Sequence, residues 1–297
     1  MRYQAHGRAA RVNRKPFATV LVPTHNHAHL IGYAIRSIQD QSFSDFELFV
    51  VGDGASAETR DVVGDLARSD PRIRYFDFPK GQRHGEAHRH VALQEARGEI
   101  VAYCGDDDLW LRSHLASLAK LLKRHDFGHM VQINVHGRNE FVVYGGSFAE
   151  PGCWQKVRDG EKAFFGLTVG GHRMSAYRAL PVGWSPAPAG TYTDQFMWRK
   201  FLRQPGLRFA SGLEATSIHI ASPARTDWTA QERVAELKDL FERRDSAELR
   251  VALEQAIRTA HHGWTSPDDP LLVRLAGQAK LLGAHVENLV HRWRRPS

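Results

Sequence analysis

Asp106, Asp107 and Asp108 stand side by side directly after the apolar run Ile100-Val101-Ala102-Tyr103-Cys104. Carboxylates this close repel one another, so such a run calls for a cation or for donors brought by a ligand. Hard oxygen donors suit Mg²⁺ or Mn²⁺, and those ions in turn suit a diphosphate. The chemistry indicated is the handling of a nucleotide-linked substrate. Two simpler roles compete. Asp108 could N-cap a helix beginning at Leu109 or Trp110, which accounts for one carboxylate of the three. Asp53, in Gly52-Asp53-Gly54 after another apolar run, could bond its own backbone in a tight turn.

The elements that must position these residues follow from the hydrophobic pattern. Ala18 to Val22, Phe46 to Val51, Ile73 to Phe76 and Glu99 to Cys104 read as buried strands. Leu30, Ala34, Ile35 and Ile38 mark one helix face, and Leu111, Leu115, Leu118 and Leu122 another. Alternation of this kind implies right-handed crossovers and a mostly parallel sheet, with ligands at the carboxyl ends of its strands. Pro23-Thr24-His25-Asn26, Gly52-Asp53-Gly54 and the aspartate run all fall at such ends. Further on, Met130 to Val135 and Glu140 to Phe148 suggest a hairpin with its turn at residues 136–139. Pro181 to Tyr192 reads as a surface loop, Thr193 to Arg203 as a helix and Ala215 to Ile220 as a last strand. Three helical stretches follow, at about 229–243, 247–262 and 270–293, with helix-boundary signals at Gly263 and Ser266 to Pro270.

The 297 residues, 42% hydrophobic and 25% charged, are enough for a full core in one large domain or two small ones. The two cysteines, Cys104 and Cys153, offer no disulfide framework, and Cys104 reads as a small core residue. Met1 to Lys15 carries five basic residues and no acid, and is expected to be a disordered arm rather than a signal peptide. No stretch approaches the roughly 20 apolar residues of a membrane span, so a cytoplasmic chain is expected. The net charge of +7 gathers partly in that arm and in His291-Arg292-Trp293-Arg294-Arg295. Basic tails suit nucleic acid, anionic lipid or phosphorylated substrates alike.

Val20-Leu21-Val22-Pro23-Thr24-His25-Asn26, Ala34-Ile35-Arg36-Ser37-Ile38, Gln41-Ser42-Phe43 and Phe46 to Gly54, followed by Glu99 to Asp108, resemble the opening of family 2 glycosyltransferases. The resemblance covers about Phe17 to Arg124 and implies an α/β fold of GT-A type: a mostly parallel twisted sheet flanked by helices, here with a C-terminal helical extension. It implies that Pro23, Thr24 and His25 line a nucleobase pocket, that Asp53 accepts a hydrogen bond from the base, and that Asp106, with Asp107 beside it, contacts the ribose. Asp108 would bind the divalent metal. Gly85 to His90 resembles the segment beside the donor sugar, where Arg89 or Arg83 could pair with phosphate. Tyr192 to Trp198 is similar to the late acidic motif, which makes Asp194 the expected catalytic base, although an N-cap role competes. His219 occupies the place of a late metal-binding histidine.

The implied reaction moves one sugar from a nucleoside-diphosphate donor to a hydroxyl of a saccharide, lipid-linked or small-molecule acceptor. A divalent cation assists, no organic cofactor is needed, and the anomeric carbon inverts. Position 52 holds Gly where the family has an acid, Thr193 replaces a Glu, and His90 replaces an Asn. Gln195-Phe196-Met197-Trp198-Arg199 departs from the processive Q-x-x-R-W signature, so single transfer is expected over polymerisation. The resulting division is an arm at 1–15, a donor-binding half at 16–125, an acceptor-binding and catalytic half at 126–222, and a helical extension at 223–297.

Seventeen histidines raise a metal-hydrolase alternative, but neither H-E-x-x-H nor a deaminase P-C-x-x-C is present. The clustered histidines read as solvated loop and helix residues. A dehydrogenase would need G-x-G-x-x-G after the first strand, where Pro-Thr-His-Asn stands. A non-catalytic sugar-nucleotide or carbohydrate binder of the same fold is the main rival, and a nucleic-acid binder using the basic tails is the second, although no nucleic-acid partner is expected. Leu237, Leu240, Phe241, Leu249, Leu253 and Ile257 are expected to pack on the domain. The apolar positions from Leu271 to Val290 could pack likewise, form a homodimer or, with the basic tail, rest on the inner face of a membrane.

Overall fold

A computed structural model describes residues 15–136, 140–220 and 225–260. The basic arm up to residue 14, the hairpin residues 137–139 and the helix expected at 270–293 with its start signals and basic tail lie outside the described residues.

Four parallel strands form one side of the sheet: β1 (Ala18–Thr24), β2 (Phe46–Asp53), β3 (Ile73–Phe78) and β4 (Ile100–Tyr103), in the order β3-β2-β1-β4. Every residue of β2 is buried, as a strand with both faces covered requires. Of its two acids, Asp53 ends the strand and Glu47 lies inside it, held by Arg97 at 3.0 Å and Thr19 Oγ1 at 2.9 Å. Pro23, with no N–H to give, falls beyond the last β1–β4 pair, Leu21–Tyr103. Between the strands run α1 (Ala28–Gln39), α2 (Ala57–Ser69) and α3 (Glu86–Gln94), and α1 buries Leu30, Ile31, Ala34, Ile35 and Ile38.

Beyond β4 come β5 (Leu109–Trp110), α4 (His114–Leu122), the long β6 (Phe127–His136), β7 (Glu140–Tyr144), α5 (Cys153–Asp159), β8 (Gly170–Arg173), α6 (Met174–Arg178), α7 (Thr193–Arg203), β9 (Phe209–Ala215) and β10 (Ser217–Ile220). β8 lies antiparallel between β4 and β6, joining the two sides into one sheet. The hairpin β6–β7 and the helix α7 match the sequence reading. The expected last strand is in fact two, β9 beside the first part of β6 and β10 beside its end. α4 begins three residues after Leu111, and Leu109–Trp110 is a strand paired with β10. Asp108 therefore caps no helix. The loop at 181–192 is not purely superficial: Trp184 is buried, and its Nε1 donates to Tyr103 Oη at 2.9 Å.

α8 (Ala230–Arg243) opens with a capping box, Thr229 with Glu232, and α9 (Ala247–Ala260) follows. Leu237, Leu240, Leu249 and Leu253 pack with Val131, Ile133 and Val135 of β6 and Ile218 and Ile220 of β10. These helices thus cover the sheet, as expected. Among the described residues no helix is long and apolar enough to cross a membrane. Cys104 and Cys153 are free and buried. His114, His129 and His172, which lie outside the clustered histidines, are buried, each with a ring nitrogen on an internal partner.

Candidate active site

The carboxyl ends of β1, β2 and β4 open onto a cleft of about 680 Å³. All ten site residues singled out from the sequence line it: Pro23, Thr24 and His25 from β1 and the turn after it, Asp53 ending β2, Arg89 on α3, the three aspartates after β4, Asp194 on α7 and His219 on β10.

Asp53 does not bond its own turn. Its carboxylate accepts from Lys80 Nζ at 2.6 Å and from the Gly81 backbone N–H at 2.6 Å, both on the segment following β3. His25 Nδ1 lies 2.7 Å from the Asp53 carbonyl. Gly85 is required here: its φ is +68°, and a Cβ would come 2.6 Å from Asp53 Cγ. The clustered histidines serve these strand ends. His27 Nδ1 is 2.8 Å from Asp106, and His88 stacks on Phe78 at 4.5 Å.

Each aspartate of the run has a distinct environment. Asp106 accepts from Thr24 Oγ1 at 2.7 Å in addition to His27. Arg233 of α8 reaches Asp107 at 3.0 Å. Asp108, almost fully buried, meets His219 Nδ1 at 2.9 Å, the Ile220 N–H at 2.8 Å and the Thr168 hydroxyl. Gly105 makes room for it, since a Cβ there would lie 2.6 Å from Asp108 Oδ2. Burial would raise the Asp108 carboxyl, but His219 and these donors hold it low. Burial likewise opposes charge on His219, yet Asp108 raises its pKa.

The donor set suits a hard divalent cation. His27, Asp106 and Asp107 each offer a ligand atom, all within 4.8 Å of one another. The Asp108–His219 pair named from the sequence lines the same cleft, so the residues present fit such an ion. His27 enters this group without having been singled out for the role.

Asp194 lies one residue inside the start of α7, whose N-cap is Tyr192, so it is not the cap itself. Its Oδ1 accepts the Gln195 N–H at 2.7 Å. Burial raises its pKa above the ordinary carboxylate value, against the pull of that bond and of Arg89 and His219. Arg89 is itself buried, lies over the Trp184 ring at 4.8 Å and donates to the His84 carbonyl at 2.9 Å. Burial lowers its pKa, while Glu86 and Asp194 favour its charge.

Glu86, fully buried, ties this wall together. It accepts from Thr193 Oγ1 at 2.9 Å, the His84 N–H at 3.1 Å and the Ala187 N–H at 3.4 Å. Lys200 Nζ fastens the same loop through the Gly183 carbonyl at 2.6 Å and Ser185 Oγ at 2.7 Å. Sequence reasoning missed Lys80, Glu86, Thr168 and Arg233. Lys80 carried a usable signal, a polar residue just past the end of a parallel strand. Arg233 carried none, being 126 residues from its partner.

Residues 19–182 match the sequence family described as Glycosyl transferase family 2, more than half of the chain. The chain belongs to that family. Over 117 residues it is 36% identical to the GalNAc(5)-diNAcBac-PP-undecaprenol beta-1,3-glucosyltransferase of Campylobacter jejuni, covering 38% of each chain. Over 114 residues it is 29% identical to the UDP-Glc:alpha-D-GlcNAc-diphosphoundecaprenol beta-1,3-glucosyltransferase WfgD of Escherichia coli, 38% of this chain and 43% of that one. The chain thus spans about two-fifths of the length of these curated relatives. Among solved structures, S. aureus TarS 1-349 in complex with UDP-GlcNAc superposes with a TM-score of 0.57 at 18% identity, over 81% of this chain and 71% of that one. The mannosyltransferase PcManGT of Pyrobaculum calidifontis, in complex with GDP-Man and Mn²⁺, gives 0.51 at 20% identity, over 92% and 76%. These likenesses show the fold, which is GT-A.

Proposed function

We propose that this family 2 chain is a metal-dependent, inverting glycosyltransferase that moves one sugar from a nucleoside-diphosphate sugar to an acceptor hydroxyl. The observation that carries the reading is that one cleft is lined at once by Asp53, the three aspartates and Asp194. An acceptor hydroxyl has a high pKa and must lose its proton as it attacks, and Asp194, with its raised pKa, is suited to take it. Asp53 and His25 would hold the nucleobase end, and Asp106 and Asp107 the ribose. Asp108 and His219, with His27 beside Asp106 and Asp107, would hold Mg²⁺ or Mn²⁺. When bound, that ion supplies a Lewis acid that neutralises the charge of the departing diphosphate. With a base and no enzyme nucleophile, attack comes from the face opposite the leaving group and the anomeric carbon inverts. The relatives named as acting on saccharides linked to undecaprenyl diphosphate support a lipid-linked acceptor reached at a membrane surface.

The test is a thermal-shift screen of UDP, GDP and their sugar conjugates with Mn²⁺, followed by turnover of the stabilising donor. Asp194→Asn is expected to keep the nucleotide response and to lose roughly 10²- to 10⁴-fold in transfer and donor hydrolysis. Because burial raises the Asp194 pKa, the acid limb of the wild-type rate profile should lie above the ordinary carboxylate range. A wild type that binds donor but neither transfers nor hydrolyses it is the non-catalytic binder, and the enzyme reading fails.

A further inference from the structure

Among the described residues only six large apolar side chains are exposed, four valines, of which Val142 shares a face of β7 with Tyr144, and two tyrosines, Tyr144 and Tyr192. The two aromatic ones line the same cleft as Asp194. Tyr144, at the end of β7, is 48% exposed, and Tyr192, the N-cap of α7, is 79% exposed. Exposed rings confined to one cleft mark a binding surface more strongly than scattered apolar residues do.

The same cleft is also lined by amide side chains, Gln132, Asn134 and Gln195, whose hydrogen bonding is incomplete. Gln132 donates to Asn134 Oδ1 at 2.8 Å and accepts the Gly166 N–H, which leaves the Asn134 amide N–H groups with no partner among the described residues. Gln195 spends its NH₂ on the Phe165 carbonyl at 2.5 Å, and its buried Oε1 has no partner. A free amide donor and a free amide acceptor in one cleft match a hydroxyl, which both gives and accepts hydrogen bonds. Gly166 lines the same cleft beside Asp194: a Cβ there would come 3.2 Å from Asp194 Oδ2 and 3.1 Å from Gln132 Oε1.

A pyranose has this same alternation, a face of weakly positive C–H bonds and a rim of hydroxyls. The negative π-face of a tyrosine attracts the first, and planar amides fix the second. An alkyl chain would leave the amide groups unpaired, at a cost. We propose that the acceptor group bound beside Asp194 is a sugar ring, held on Tyr144 and Tyr192 with its hydroxyls on Asn134 and Gln195. This rests on the glycosyl-transfer reading and narrows it to a saccharide acceptor.

The test is saturation-transfer NMR on the full chain with methyl glucopyranoside, methyl galactopyranoside and methyl N-acetylglucosaminide, run with and without UDP and Mg²⁺. Decyl phosphate is the sugar-free control. At least one pyranoside is expected to receive saturation on its C–H face. Tyr144→Ala, Tyr192→Ala and the isosteric Asn134→Asp should each weaken it fivefold or more, whereas Val251→Ala on α9 behaves as wild type. The proposal is overturned if no pyranoside binds, if decyl phosphate alone binds, or if the tyrosine variants bind sugar as wild type does. The transfer reading is scored separately, by the screen of UDP, GDP and their sugar conjugates: no response to any of them overturns that reading, while sugar contact measured without nucleotide still decides the subsite.

Discussion

Asp53 and the three aspartates leave the sheet at the ends of β2 and β4, and neighbouring parallel strands fix their backbone. Asp194 has no such ladder. It starts a helix approached by a proline- and glycine-containing loop, and that loop is fastened by side chains, Glu86 to Thr193 and Ala187, and Lys200 to Gly183 and Ser185. One side of the cleft is therefore set by backbone pairing. The other depends on a few buried polar contacts, so a single substitution there can misdirect the helix without unfolding the sheet.

The sharpest way to break this contrast is to attack each side separately. Asp108→Asn should lower turnover roughly 10²- to 10³-fold, the scale of losing one preorganised electrostatic group, and should weaken the dependence on added Mg²⁺ or Mn²⁺. Initial rates across a metal titration that match wild type would remove Asp108 from the cation's environment. Glu86→Gln comes next, with turnover expected to fall on the order of ten- to a hundredfold through misplacement of Asp194. The nucleoside-diphosphate Kd should hold, and if affinity falls in step with rate, the two walls are not independent. Gly85→Ala tests the strand-end side, because its positive φ and the approach to Asp53 together impose strain of about 1–3 kcal/mol. Calorimetry should show nucleotide binding weakened roughly tenfold.

The smallest effect on turnover is expected from the frame both walls share, where stability changes instead. His114 and His172 have pKa values lowered to about 3, and His129 to about 4, all by burial. Below the ordinary value near 6.5 the unfolded chain takes up protons that the folded one refuses. Stability is thus fully present above about pH 6.5 and declines as pH falls, by up to about 1.4 kcal/mol per histidine for each unit. Melting temperatures followed from pH 7.5 to 5 should drop, and His114→Asn, if it folds, should flatten the slope.

The same contrast explains what was legible in the sequence. β1, β2 and β4 announce themselves because strands buried on both faces must be largely apolar, and the polar residues at their carboxyl ends line the cleft. β8 was invisible: Gly170 and Gly171 have poor strand propensity, yet only glycine fits, since a Cβ at 171 would lie 2.7 Å from Leu118 and 2.9 Å from the Val101 carbonyl. The loop at 181–192 read as superficial from its prolines and glycines, whereas Trp184 anchors it to Tyr103 across 81 residues of chain. Asp194 was singled out through its motif, but the bond by which Glu86 holds the neighbouring Thr193 joins residues 107 apart, a relation that local periodicity cannot carry.

The reach of Arg233 to Asp107 has a consequence for how the protein comes into being. During synthesis the acidic rim is finished early, but its arginine belongs to a helix that emerges more than a hundred residues later. A ribosome-bound chain stopped before residue 230 would carry its carboxylates without this counter-charge and with the apolar surface of β6 and β10 bare. The cover of that surface and this counter-charge thus arrive together, with α8 and α9, only after every described strand of the sheet has been made.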